Sequence, residues 1–266
     1  MHYRSKCCDS DHKAVELKND GIFSRLIESY IREIFNSVSG GGSKGAINQL
    51  LKHYFDHLSE GLNVGYNSSS VFYDEDLALA LKNDIALFSA FKESSFRKLL
   101  ESFLTENNEV VPWSKFKKKA LELNIEYNER YLKTEYHHTV ATANNVEKWK
   151  SFVADSDLYP NLKYNAIHDS RTREKHRVLD GLILPINHPF WKDHMTPIDW
   201  GCRCDVEQTD EDPSDVIPDF EAKARFKNNA ALSQKIFGEI VYKEVLNSNE
   251  IKDAEKMASK LIEDIS

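Results

Sequence analysis

Two of the chain's four cysteines, Cys202 and Cys204, stand one residue apart in the stretch DWGCRCDV, Asp199 to Val206. On a strand, residues two apart point the same way, so both sulfurs would share a face. Thiolates are ligands for soft metal ions, and a tetrahedral zinc site would need two more donors. The neighbouring sequence offers His168, His176, His188 and His194. Structural zinc pairs more often read C-x2–4-C, where a turn lets both sulfurs reach one ion, so C-x-C is the weaker signal. The favoured reading is therefore a reduced pair packed as small hydrophobes. Zinc held by Cys202, Cys204 and His176 is the alternative, and no other cofactor is expected. A disulfide ranks below both, because a C-x-C ring is strained and the expected compartment is reducing.

Other chemistry is less well supported. Arg203 could depress a thiol pKa, but on a strand it points to the opposite face from the cysteines. No H-E-x-x-H, P-loop or G-x-S-x-G motif is present. In the run DSRTREKH, Asp169 to His176, Arg173 and His176 lie three apart and would share a helical face, with Asp169 as the N-cap. That arrangement reads as a structural polar network rather than an acid–base pair. Phe190, Trp191 and Trp200, next to prolines, read as anchors that pin a long loop to a small core.

The elements that must position these residues are mostly helical. Ile22, Phe23, Leu26, Ile27, Tyr30, Ile31, Ile34 and Phe35 form one apolar stripe, and Ile47, Leu50, Leu51, Tyr54, Phe55 and Leu58 form a second. Between them, SVSGGGSKG reads as a flexible joint, and GLNVGYNSSS, residues 61–70, as a loop. A third helix follows Asp74, and its stripe resumes at Phe96. TENNEVVP is a loop, WSKFKKKALEL a short basic helix, and Asn128 to Val153 a long polar helix. The texture then changes. LKYNAI and LILPI read as short strands, with a helix from about Ser170 and a glycine stop at Gly181 between them. CRCDVEQ reads as a third strand. Beyond Asp210 the stripe Leu232, Ile236, Phe237, Ile240 and Val241 predicts a helical tail, which ends in an amphipathic segment from Ile251 to Ile262.

The expected fold class is thus α+β and predominantly helical. The expected layout is a helical N-terminal region over 1–112, a small α+β module with short antiparallel strands over 113–210, and a helical C-terminal tail over 211–266. With 266 residues, 41% hydrophobic and 29% charged, the chain can bury a substantial core. A net charge of −8 argues against a general nucleic-acid coat. The N-terminal stretch has no apolar core of a secretory signal, and no apolar run is long enough to cross a bilayer, so a reducing cytoplasm is the expected place of synthesis. Cys7 and Cys8 read as unstructured terminal thiols.

Taken in order, KTEYHHTVATANN, DSRTREKHRVLDG, LPINHPFW and TPIDWGCRCDV resemble the phage Mu F-like minor head protein family. The matching positions are Thr134 and Glu135, then Asp169, Arg173, His176, Asp180 and Gly181, then Pro189 and Trp191, then Pro197, Cys202, Arg203 and Cys204. Lys133 stands where the family often has arginine, which keeps the cation and loses bidentate pairing. The resemblance covers about Tyr131 to Val206 and brings no catalytic residues with it. It implies a non-enzymatic minor capsid protein of a phage or prophage. Such a protein would be made in the bacterial host cytoplasm and carried in the virion head. It would act in prohead assembly and in DNA packaging or delivery. The implied partners are the portal protein and other head or scaffold proteins, with no membrane and no strong sequence-specific nucleic-acid binding. Within this frame Arg203 is expected to tie its strand to a carboxylate such as Glu135. The alternatives are a metal-dependent hydrolase or nuclease on the His/Cys site, and a packaged toxin-like effector.

Overall fold

The apolar stripes become helices wherever they can face one another. In the computed structural model, which describes residues 21–38 and 45–264, the chain opens with α1 (Gly21–Ser37) and α2 (Gly45–Gly65). Helix α3 (Glu75–Glu101) follows, started by Asp74, whose carboxylate accepts the Leu77 amide at 3.0 Å. A small hairpin, β1 (Thr105–Glu106) and β2 (Glu109–Val110), occupies the stretch read as a loop. Asn107 and Asn108 both take positive φ, 52° and 65°, and so supply the two left-handed residues that a tight hairpin turn needs. Helix α4 (Trp113–Asn124) runs on through a π-helical segment, Ile125–Tyr131, into α5 (Leu132–Ala154).

Next come β3 (Asn161–Asn165), α6 (Glu174–Arg177), β4 (Ile183–Pro185), α7 (Phe190–Asp193) and β5 (Asp205–Thr209). The remainder holds a 3-10 turn at Ala224–Phe226, α8 (Ala230–Ser233), a second 3-10 turn at Val241–Val245, and α9 (Ser248–Glu263). The expected α+β, predominantly helical class is what folds. Cys7, Cys8 and most of the glycine joint lie outside the described residues.

Contacts divide the chain into two compact units, and the division falls inside α2, α3 and α5. One unit takes residues 60–84 and 136–239. The other takes the described part of 11–59 together with 85–135 and the stretch from Ile240 onward.

The first unit contains the three-stranded antiparallel sheet, ordered β4-β3-β5. Central β3 pairs with both neighbours, placing Leu162 opposite Leu184 and Tyr164 opposite Val206. Leu162, Tyr164 and Ala166 alternate into the core as their spacing predicts, where they meet Trp149, Leu179 and Trp191. Trp191 is fully buried and its indole donates to the Pro185 carbonyl at 3.1 Å, which is the pinning role expected of it.

Gly61 and Gly65 open the stretch whose composition predicts a loop, but α2 continues through both. Their role is close approach. A Cβ at Gly65 would stand 2.7 Å from the Ala143 Cβ and overlap the Val140 carbonyl oxygen, so only glycine lets α2 and α5 lie together here. The tail stripe is also not one helix. Leu232 ends in the single turn of α8, and Ile236 and Phe237 follow in irregular chain. That chain is held because the buried Asp84 carboxylate accepts both their amides at 2.9 Å. Side-chain capture of the backbone wins there over helical periodicity. The helical part of the tail is α9, begun by a capping box of Asn247 and Glu250.

The second unit encloses charge. Lys92, Glu93 and Glu135 are almost wholly buried. Lys92 bonds Glu135 at 2.9 Å, and Tyr30 donates to Glu93 at 2.7 Å. In the π-helical segment, buried Asn128 takes the Tyr54 hydroxyl and donates to Asn124 at 2.8 Å.

Candidate functional site

The site forms where the DSRTREKH turn meets the DWGCRC segment, both in the first unit. Asp169 is not a helix N-cap. Its carboxylate instead accepts the Arg171 and Thr172 amides at 2.9 and 3.1 Å, folding the chain into a tight turn. The helix after it, α6, starts four residues later than the sequence predicts, with Arg173 at its N-cap position and no side-chain cap. Gly181, at φ 75°, then reverses the chain, and its amide returns to the Tyr164 carbonyl at 2.8 Å. Beside it, Asp180 accepts the Ala166 amide at 2.8 Å and pairs with His168 at 2.7 Å. These contacts fasten the turn to the end of β3.

The facing segment turns at Gly201 and becomes ladder-paired strand only at Asp205, so Cys202 and Cys204 precede β5 rather than belong to it. Both sulfurs nevertheless reach one atom, Nδ1 of His176, at 3.7 and 3.8 Å. The three donor atoms all lie within 4.8 Å of one another. His176 is 2% exposed and Cys204 9%, while Cys202 is half-buried. The opposite edge of the imidazole faces Asp199, with Nε2 3.9 Å from the carboxylate. Asp199 is itself held by Lys175 at 2.6 Å and by the Trp200 amide at 2.9 Å, with Arg173 at 3.6 Å.

Arg203 stands between the cysteines in the chain. It takes Asp169 in a two-pronged grip, both bonds 2.7 Å. The carboxylate it ties is therefore Asp169, a neighbour across the site, whereas Glu135 is the partner of Lys92 in the other unit. Arg173 adds a bond to the Trp200 carbonyl at 2.9 Å.

The electrostatics follow this geometry. The Arg203 guanidinium, helped by the turn's amides, holds the Asp169 carboxyl far below the usual carboxylate range. Burial pushes Asp199 up, but Lys175 and Arg173 together outweigh it and leave its pKa lowered. The bond from Cys202, with His176 and Tyr164 behind it, pulls the Cys204 thiol down, while Cys204 and burial push Cys202 up.

Of the residues singled out in the sequence, Asp169, Arg173, His176, Cys202, Arg203 and Cys204 come together here. Gly181 and Trp191 support the same unit from its turn and its core. Thr134 bonds back to the Arg130 carbonyl at 3.0 Å along its own helix, and Glu135 serves the Lys92 pair. Sequence reasoning missed Asp199, Lys175 and Tyr164 as members of the site. Asp199 and Lys175 carried a signal, since an acid just before the cysteine pair and a cation just before His176 could meet. Tyr164 carried none, because on an alternating strand it reads simply as core.

The comparisons with known proteins fall on this part of the chain. Residues 112–207 match the family described as Phage Mu protein F like protein. The chain is 37% identical over 82 residues to the "Mu-like prophage FluMu F protein" of Haemophilus influenzae, covering 31% of this chain and 20% of that protein. It is 35% identical over 77 residues to the "Putative capsid assembly protein F" of Escherichia phage Mu, covering 29% and 18%. The match thus spans about a fifth of the length of these curated relatives. No solved structure matches. Over residues 112–207, then, this chain is similar to the family described as Phage Mu protein F like protein.

Proposed function

We propose that this chain is a minor head protein of a phage or prophage, made in the bacterial host cytoplasm and built into the virion head, with a structural rather than catalytic role. The observation that carries this reading is the family match over 112–207, together with a phage Mu relative named as a putative capsid assembly protein. The site chemistry is compatible with it. Asp169 is occupied by Arg203, and Asp199 by Lys175, so the charged groups act mainly as clamps between chain segments. Residues 113–210 would be the head-protein module. The helical front, 1–112, and the tail, 211–266, would supply faces for the portal and other head or scaffold proteins. No helix among the described residues is long and apolar enough to cross a membrane.

The test is gradient sedimentation of lysates in which proheads assemble with a tagged copy of the chain. Co-migration with heads, and a head-assembly defect on deletion, are expected. The reading fails if the protein stays at the top of the gradient while intact heads sediment. The His176, Cys202 and Cys204 cluster favours one competing reading, a metal-dependent hydrolase or nuclease. Metal-supplemented protein that cleaves nucleic acid or peptide, and loses that activity in Cys204→Ser, would replace the structural role with a catalytic one.

A further inference from the structure

Three soft donors converge in the first unit from two separate segments: His176 from α6, and Cys202 and Cys204 from the chain entering β5. Their spacing is informative. With zinc–sulfur bonds of about 2.3 Å and zinc–nitrogen bonds of about 2.0 Å, a tetrahedral ion places sulfur and nitrogen roughly 3.5 Å apart. Here the two sulfur–nitrogen separations are 3.7 and 3.8 Å. Both separations stand close to that value, and all three donor atoms lie within 4.8 Å of one another.

The imidazole is also presented in the manner a metal requires. Nδ1 faces the sulfurs, and a metal bound there would leave the ring proton on Nε2, whose edge faces Asp199 at 3.9 Å, beyond direct hydrogen-bond reach. A carboxylate behind the far nitrogen of a histidine ligand fixes its tautomer and strengthens it as a donor. Asp199 is held in that place by Lys175 and the Trp200 amide.

We propose that His176 Nδ1, Cys202 Sγ and Cys204 Sγ bind one zinc-class divalent cation, with an exchangeable ligand at the fourth position and Asp199 orienting the imidazole. The ion staples the Asp169–Gly181 turn to the segment that leads into β5. Sequence spacing alone left the cysteine pair looking like small core residues, because C-x-C lacks the turn that normally closes a zinc pair. The missing closure comes from His176, 26 residues upstream of Cys202. Binding converts both thiols to thiolates and sends their protons to solvent, so affinity falls as pH is lowered. The inference rests on the geometry of this cluster and stands apart from the head-assembly reading.

The experiment uses the full chain, purified under reducing conditions with zinc supplied and then desalted. Elemental mass spectrometry should find about one zinc per chain, the stoichiometry of a single mononuclear site. Cys7→Ser/Cys8→Ser should retain it, whereas Cys202→Ser, Cys204→Ser and His176→Asn should each lose most of it. Cobalt added to the metal-free wild type should give thiolate-to-metal charge transfer and the visible bands of a tetrahedral ion. The wild-type cobalt spectrum decides the matter even where a variant fails to fold. The proposal is overturned if reduced wild type takes up no zinc and gives no cobalt bands. It is equally overturned if metal follows Cys7 and Cys8, or if Cys202 and Cys204 are recovered as a disulfide under these conditions.

Discussion

Arg203 holds Asp169 through two parallel hydrogen bonds of 2.7 Å, joining the segment between the cysteines to the turn that precedes α6. A planar guanidinium fits a carboxylate in this way, and a lysine ammonium does not. Arg203→Lys should therefore lower the thermal midpoint nearly as much as Arg203→Ala, despite keeping the charge. Asp169→Asn should lower it as well, and the double variant should be little worse than either single one. Additive losses in that double-mutant cycle would show that the two groups act separately.

Gly65 gives a sharper steric test. An alanine there raises helix propensity by roughly 1 kcal/mol but must displace α5 backbone and the Ala143 side chain. Overpacking of that kind costs about 1–3 kcal/mol, so Gly65→Ala should be net destabilising. Gly61→Ala meets the edge of the Tyr136 ring at 3.2 Å, which can shift, and should be close to neutral. Denaturant midpoints compare the two directly. Equal midpoints would mean that α2 and α5 do not approach as closely as the geometry states.

These residues also show what could be read in advance. Helix faces, strand alternation at Leu162 and Tyr164, and the inward Trp191 follow from periodicity, because burial on one side leaves a repeating trace. The family motif located six of the residues that meet at the site. What periodicity hides is tertiary in origin. Gly61 and Gly65 look like breakers unless the opposing helix is known. The Ile236–Phe237 stretch keeps a helical stripe although Asp84 claims its amides. The partner of Arg203 is hidden too, since Asp169 reaches it only after the chain has folded back.

His138 predicts an acid-sensitive fold. Burial lowers its pKa from 6.5 to about 4, against a weaker opposing pull from the Ile236 backbone. It is packed among Trp200, Phe226 and Phe237. The folded state therefore keeps the ring neutral while the unfolded chain protonates it between these two values. Stability is complete above about pH 6.5 and declines as pH falls towards 4, by roughly 3 kcal/mol from this residue. Urea titrations across that window should show the slope, and His138→Leu should flatten it. An unchanged slope in the variant would assign the acid sensitivity to other groups.

The net charge of −8 predicts weak binding to duplex DNA. Non-specific affinity comes mainly from cations that neutralise phosphates and release counterions. At moderate salt, fluorescence anisotropy should find no binding tighter than micromolar. A submicromolar affinity that weakens steeply with salt would reveal a local basic surface.

Lys92 and Glu135 form an ion pair in the second unit with side chains 0% and 3% exposed, further held by Tyr242, which donates to Glu135. Burial lowers the Lys92 pKa, and Glu135 opposes that shift, so the ammonium depends on its partner. Its charge also lies 4.9 Å from the centre of the Tyr242 ring. Removing one partner leaves the other buried and uncompensated, a loss of about 3–5 kcal/mol. Lys92→Met and Glu135→Gln should each destabilise on that scale. Lys92→Met combined with Glu135→Leu should recover much of the loss, because two apolar side chains carry no desolvation penalty. If the double variant folds well yet no longer co-sediments with heads, Glu135 serves assembly. If it folds well and still co-sediments, the Thr134–Glu135 pair of the family motif marks a structural anchor alone.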